Sequence, residues 1–258
     1  MVALISLPNP GNEPAHELYE KELRRLKGKG ALQRRLLEID KIRSFRRIYV
    51  MGCGRSGTWL FTHVIGTLKD TEVVRKELNI AHFGLFVTKC SALVLKRDKL
   101  AYQAIEEIPE SIEIAYVIRH PFDVLTSHLP GSGRPYHILP ERWLGEMKSL
   151  GFLLDTQRKN TKIIRYEDLV THPVEIQSDV ASFFGLRIGV SIHELNTVSN
   201  NPTEGPTHRA RKLDTLSINK HRREPNKLKY LREIRPKLGP TLDWVGSTYK
   251  YDLSLAVA

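Results

Sequence analysis

The stretch Arg47-Ile48-Tyr49-Val50-Met51-Gly52-Cys53-Gly54-Arg55-Ser56-Gly57-Thr58-Trp59-Leu60 constrains the fold of this chain more than any other. Its apolar run predicts a buried strand, its glycines a tight turn, and the residues after Gly57 a helix. Such a turn leaves backbone N–H groups aimed at one point, and the helix N-terminus behind it adds about half a positive charge. Together they make a cradle for phosphate. The pattern G-x-x-x-x-G-K-[ST] is met at Gly52 and Gly57, but Thr58 stands where the lysine belongs. The positive charge lies earlier, at Arg55. That displacement decides which phosphate chemistry the loop serves.

Around this unit, strand and helix patterns alternate. Residues 14–43 read as an amphipathic helical segment broken at Gly28 and Gly30, docked on the main domain. Strands are expected at Ile48–Met51, Thr71–Val74, Phe83–Lys89, Ile112–Ile118 and Lys162–Tyr166. Helices are expected at Thr58–Leu68, Lys96–Glu107, Phe122–His128, Trp143–Leu154 and Pro173–Phe184, the last ending at Gly185. A further helix over Lys227–Arg235 is limited by Pro236 and Pro240. The segment 196–212 reads as a polar loop ending in a basic run, and a second basic run follows at Lys220-His221-Arg222-Arg223. This alternation predicts an α/β fold with a central parallel sheet flanked by helices, and ligands at the carboxyl ends of the strands. The expected division is a helical appendage over 1–46 and a main domain over 47–258.

Composition narrows the class. With 41% hydrophobic and 27% charged residues, the chain matches a globular protein. No apolar run approaches the ~20 residues of a membrane span. The patch Val2–Leu7 is too short for a signal-peptide core and lacks a basic lead. There are two cysteines, Cys53 and Cys90, and Cys53 lies inside the Gly-rich turn, so a reducing, cytoplasmic setting is expected. The net charge of +11 implies an anionic partner, although a merely solvated basic surface would also account for it.

A second constellation runs from Tyr116 to His128. Arg119 stands at the expected end of a strand, and Ser127 follows eight residues later in the next helix. A guanidinium fork and a hydroxyl so placed can converge on one anion. The competing arrangement is an Arg119–Asp123 ion pair with no ligand.

Taken together, these segments resemble the sulfotransferases that use 3′-phosphoadenosine-5′-phosphosulfate (PAPS). Gly52-x-x-Arg55-Ser56-Gly57-Thr58 is similar to the family's 5′-phosphosulfate loop, and Arg119 through Ser127 to its 3′-phosphate motif. Ile163-Ile164-Arg165-Tyr166-Glu167-Asp168-Leu169, followed by Phe183-Phe184-Gly185-Leu186, resembles a third element. The resemblance covers residues 48–186, weakens over 187–258 and is absent over 1–46. It implies a P-loop NTPase-like sulfotransferase fold and sulfuryl transfer to a hydroxyl or amine, with adenosine-3′,5′-bisphosphate (PAP) as product and no metal.

By the same resemblance, Arg55 binds the 5′-phosphate and assists the leaving oxygen, while Ser56, Gly57 and Thr58 complete the cradle. Arg119 and Ser127 hold the 3′-phosphate. Tyr166 lies near the adenine, and Lys212 and Lys220 close over the nucleotide. Trp59 replaces the family's second threonine and either contacts the nucleotide or packs in the helix core. Many members carry a K-x-H motif after the third strand. Lys89-Cys90-Ser91 has the lysine, which would aid the leaving group or orient the acceptor, but not the histidine. Other branches use a glutamate after the second strand, and Glu77 occupies a comparable place. The general base is then Glu77, with His82 and His128 as alternatives and a surface pairing of Glu77 with Arg75 or Lys76 as the non-catalytic reading. Two other functions compete: a P-loop kinase or NTPase with a degenerate loop, and a polyanion-binding module. The acceptor, be it carbohydrate, tyrosine, lipid or small phenol, is not legible in the sequence, and no nucleic-acid motif is visible.

Overall fold

A computed structural model describes residue 21 and residues 23–128, 133–193 and 213–255. In chain order the main elements are α1 (Lys29–Ile42), β1 (Arg46–Met51), α2 (Thr58–Gly66), β2 (Thr71–Leu78), β3 (Ala92–Arg97), β4 (Glu113–Ile118), α3 (Pro121–Leu125), α4 (Pro140–Asp155), β5 (Thr161–Arg165), α5 (Tyr166–Thr171), α6 (Pro173–Phe183) and α7 (Pro225–Tyr249). Among the described residues, four 3₁₀ turns, Ile80–Gly84, Ala101–Glu107, Thr215–Ser217 and Lys220–Arg223, link them.

The strands form one five-stranded sheet in the order β2-β3-β1-β4-β5, and every pairing is parallel. Parallel strands need both faces covered, and β1 and β3 are continuous apolar runs accordingly. Successive residues of β1 point to opposite faces. Ile48 and Val50 pack with Phe61, Val64 and Phe184 of the α2/α6 layer. Tyr49 and Met51 pack on the other face with Leu36 and Ile39 of α1, Trp143 of α4 and Leu238 of α7. The helix α1 thus shares the core of the sheet. Among the described residues, no helix is long and apolar enough to cross a membrane.

The third strand departs from expectation. Phe83–Lys89 is not a strand. Asn79 caps a 3₁₀ turn there by accepting from the Ala81 N–H at 3.1 Å, and Phe83, Leu85 and Phe86 fill space in the α1 layer. The third strand is Ala92–Arg97, and the expected helix Lys96–Glu107 shrinks to the 3₁₀ turn Ala101–Glu107. The reason is physical: Ala92-Leu93-Val94-Leu95 is buried on both sides, so it lacks the alternation that identifies a half-exposed strand.

Other differences are local. Strand β2 runs on to Leu78. Helix α3 stops at Leu125, so Ser127 lies beyond its end rather than within it. Helix α7 continues past Pro236 to Tyr249, with a break at Gly239 (φ 49°, ψ −143°) that lets Pro240 begin a fresh turn. Burial of Leu228, Leu231, Leu238, Leu242 and Val245 along one face outweighs the proline penalty of about 3 kcal/mol. Gly185 ends α6 in the left-handed region (φ 56°), as read from its sequence.

Candidate active site

The parallel register brings Met51, Ile118 and Arg165 to one edge of the sheet. The loop after β1, Arg119 after β4 and Tyr166 after β5 therefore meet at the carboxyl ends of three adjacent strands. Helix α2 starts at Thr58 behind the loop, with Gly57 as its N-cap. Gly57 adopts φ 94°, and a Cβ there would lie 2.3 Å from Cδ2 of Tyr166. Only glycine allows that ring to seat against the loop. Arg55 itself has φ 71°, an uncommon conformation for a residue with a side chain, within the glycine-rich turn.

Arg55 Nε donates to Ser127 Oγ at 2.8 Å. Arg119 donates from Nη1 to the Arg55 carbonyl at 3.0 Å and from Nη2 to the Ser217 carbonyl at 2.6 Å. Its guanidinium lies 4.4 Å from the centre of the Tyr166 ring. Ser217 donates its hydroxyl to the Asp214 carbonyl, so the 2.8 Å contact between Tyr166 and Ser217 has the phenol as donor. Arg119 Nε is buried without a hydrogen-bond partner among the described residues. Two clefts adjoin this cluster. Arg55, Gly57, Thr58, Trp59, Arg119 and Tyr166 line the smaller. The larger, about 700 Å³, is bordered by Arg55, Arg119, Ser127, His128, Tyr136 and Lys220.

A buried polar network fixes the wall of the larger cleft. Asp123 accepts from the backbone N–H of Asn219 at 2.8 Å, and from the N–H and Nδ1 of His221 at 3.0 and 2.8 Å. Burial would raise the Asp123 pKa, but the His221 hydrogen bond and the Arg119 charge overcome it and hold the carboxyl below its usual range. Arg119 Nη2 is 4.0 Å from Asp123, so the ion pair read from the sequence exists only as a long contact; the principal partner of Asp123 is His221. The ring of His120 stacks on His221 at 4.7 Å, and its Nε2 donates to the Asp252 carbonyl at 3.0 Å. His120 Nδ1 accepts from the Phe122 N–H at 3.2 Å, and burial, with His221 beside it, lowers its pKa to about 4. These contacts clamp 214–223 against α3 and carry Ser217 and Lys220 to the site.

The expected base candidates separate. Glu77, at the carboxyl end of β2, forms an ion pair with Lys96 of β3, and its side chain stays half exposed. The Lys96 ammonium rests over the Trp59 ring at 4.5 Å. His82 is buried, its Nδ1 within 2.9 Å of the Asn79 side chain and 3.0 Å of its carbonyl, in a structural turn. His128 is exposed at the rim of the larger cleft. Lys89 precedes β3, at the amino ends of the strands, so the sheet separates it from the site. The lysine at the carboxyl end of the third strand is Lys96, followed by Arg97-Asp98. Lys212 lies outside the described residues.

Beneath the loop, Glu146 takes Arg97 at 3.0 Å and lies 3.7 Å from Arg142. Burial pushes its carboxyl up to about 7 against the pull of both guanidinium groups. Burial likewise raises the Cys53 thiol above its ordinary value, so this loop cysteine is a packing group rather than a nucleophile. Sequence reading missed Lys96, Ser217 and His221. Lys96 was discoverable had Ala92–Leu95 been read as a strand; the other two are joined to the site only through tertiary contacts.

No protein-family model and no curated protein sequence matches the chain. Solved structures do. The sulfotransferase domain from the curacin biosynthetic pathway aligns over 82% of this chain and 100% of its own, with TM-score 0.58 and 16% identity. This chain has the sulfotransferase fold. The sulfotransferase domain of the Synechococcus PCC 7002 olefin synthase covers 82% of this chain and 98% of its own at TM-score 0.56 and 15% identity. Mouse sulfotransferase SULT7A1, complexed with PAP, covers 80% and 89% at TM-score 0.51 and 14% identity. At such identities the sulfotransferase fold is what is shared, and the chemistry rests on this chain's own residues.

Proposed function

We propose that the protein is a PAPS-dependent sulfotransferase acting on a hydroxyl or amine acceptor. The observation that carries this reading is the convergence of Arg55, Arg119 and Ser127 on one cleft beside the α2 N-terminus. The residues fit a doubly phosphorylated nucleotide: Arg119 has a buried Nε without a hydrogen-bond partner among the described residues, and Arg119 and Lys220 both line the cleft. PAPS would supply the activated sulfuryl group. Ser56, Gly57 and Thr58 hold its 5′ end through backbone and hydroxyl donors. Arg119, Ser127 and Lys220 hold the 3′-phosphate, with Tyr166 supporting Arg119 from beneath. Arg55 stabilises charge on the oxygen that leaves with PAP. Glu77 takes the acceptor's proton as the acceptor oxygen bonds to sulfur and the bond from sulfur to the 5′-phosphate breaks. The unpaired Cys53 and Cys90 support a reducing, cytoplasmic setting.

The test is thermal denaturation with PAP, ATP–Mg²⁺ and GTP–Mg²⁺ in parallel. At a hundredfold excess over Kd, a ligand specific to the folded state adds about 2.7 kcal/mol. PAP is expected to raise Tm by roughly 5–10 °C. Stabilisation by ATP–Mg²⁺ with none from PAP would establish the kinase or NTPase reading instead. Binding of polyanions alone, unaffected by Arg119→Met, would leave only a charged surface.

A further inference from the structure

The sulfotransferase reading leaves three features unexplained, all in one place. Trp59 stands in the first turn of α2 beside the phosphate cradle, where a large ring is not needed to bind phosphate. Lys96 is only 3% exposed, a rare state for an ammonium. The ladder between β2 and β3 shifts between Val74 and Glu77, so that Arg75 and Lys76 are inserted and Glu77 falls opposite Lys96. Bulges of this kind re-aim a side chain and recur beside active sites.

These features form a chain of contacts. The Trp59 ring receives the Lys96 ammonium at 4.5 Å from its centre. A cation placed over an indole face gains most where water is excluded, and Lys96 is so placed. Lys96 is in turn ion-paired with Glu77. Glu77 thus has one side held and the other open, its side chain 49% exposed. Trp59 lines the same small cleft as Arg55, Thr58 and Arg119.

We propose that Trp59 is a positioning residue for sulfuryl transfer: its indole seats the Lys96 ammonium, and Lys96 orients the Glu77 carboxylate toward the acceptor. Trp59 thereby couples the phosphate cradle on α2 to the base on β2. The inference rests on the sulfotransferase reading and adds to it a specific arrangement of the base. Lys96 keeps its proton throughout, and Glu77 receives the acceptor's.

The test compares the full-length protein with Trp59→Thr, Trp59→Phe, Lys96→Met, Lys96→Arg, Glu77→Gln and the double variant Trp59→Thr/Glu77→Gln. Calorimetry gives PAP affinity. Turnover is read with radiolabelled PAPS, as transfer to 4-nitrophenol and as free sulfate released to water. In Trp59→Thr, kcat is expected to fall at least tenfold while the PAP Kd stays within threefold. Trp59→Phe and Lys96→Arg are expected to recover most of what Trp59→Thr and Lys96→Met lose. Since groups acting as one unit are non-additive, the double variant should be no slower than Glu77→Gln. A tenfold loss of PAP affinity in Trp59→Thr with kcat intact would overturn the proposal and make Trp59 a stacking surface for the base of the nucleotide. Multiplicative losses in the double variant, or turnover with neither probe in a wild-type protein that binds PAP, would also overturn it. Failure of the wild-type protein to bind PAP would instead remove the sulfotransferase reading.

Discussion

Gly57→Ala tests how tightly the glycine-rich loop is built. The added methyl carbon would sit 2.3 Å from Cδ2 and 2.7 Å from Cε2 of Tyr166. The ring cannot simply recede. Arg119 lies over the ring at 4.4 Å from its centre, and the ring's hydroxyl is tied to Ser217 at 2.8 Å. Two costs therefore add. Placing a side chain at φ 94° costs roughly 1–2 kcal/mol. Forcing an extra carbon into a packed site costs roughly 1–3 kcal/mol more. The sum, on the order of 3 kcal/mol, corresponds to a Tm loss near 10 °C at about 3 °C per kcal/mol for a chain of this size. Gly133→Ala isolates the first cost, because Gly133 has φ 66° and, among the described residues, no atom within 4 Å of the added carbon. Calorimetric melting of both variants decides the matter. If Gly57→Ala melts within 2 °C of Gly133→Ala, the clash with Tyr166 is not real and the described loop packing is wrong. Because the displaced ring carries Arg119, PAP stabilisation should vanish in Gly57→Ala alone.

Three further outcomes follow from the same geometry. Ser127→Ala removes the hydroxyl proposed to hold the 3′-phosphate, a hydrogen bond worth about 1 kcal/mol, so the PAP Kd measured by calorimetry should rise roughly fivefold. Lys89→Met should leave turnover unchanged, because Lys89 lies at the amino ends of the strands; a tenfold loss would show that its placement is wrong. His120 is held neutral, its pKa lowered by burial from 6.5 to about 4, so the unfolded chain binds a proton over that range while the folded protein does not. Its contribution is complete above pH 6.5 and is lost as pH falls toward 4, on the order of 3 kcal/mol in total. His120→Gln should therefore show a shallower decline of Tm between pH 6.5 and 4 than the wild-type protein.

The sequence by itself determined the α/β class, the glycine-rich turn between β1 and α2, and the placement of Arg119 and Tyr166 at strand ends. Each depends on short-range rules: glycine conformation, apolar runs and the residue that follows a strand. A resemblance carried by three ordered motifs then extended that reading to a fold, which the solved sulfotransferase structures share. The third strand was misplaced because a strand buried on both faces carries no period, and that error moved the strand-end lysine from Lys96 to Lys89. Only the tertiary structure decided the rest. Which charge faces Glu77 depends on the β2–β3 register and its bulge, a pairing of residues 19 apart in sequence. Asp123 meets His221 across 98 residues because α3 and the 3₁₀ turn at Lys220–Arg223 fold onto each other. Trp59, ambiguous as one letter in a motif, is seen to carry Lys96 on its ring, since a cation–π contact requires two surfaces that only packing brings together.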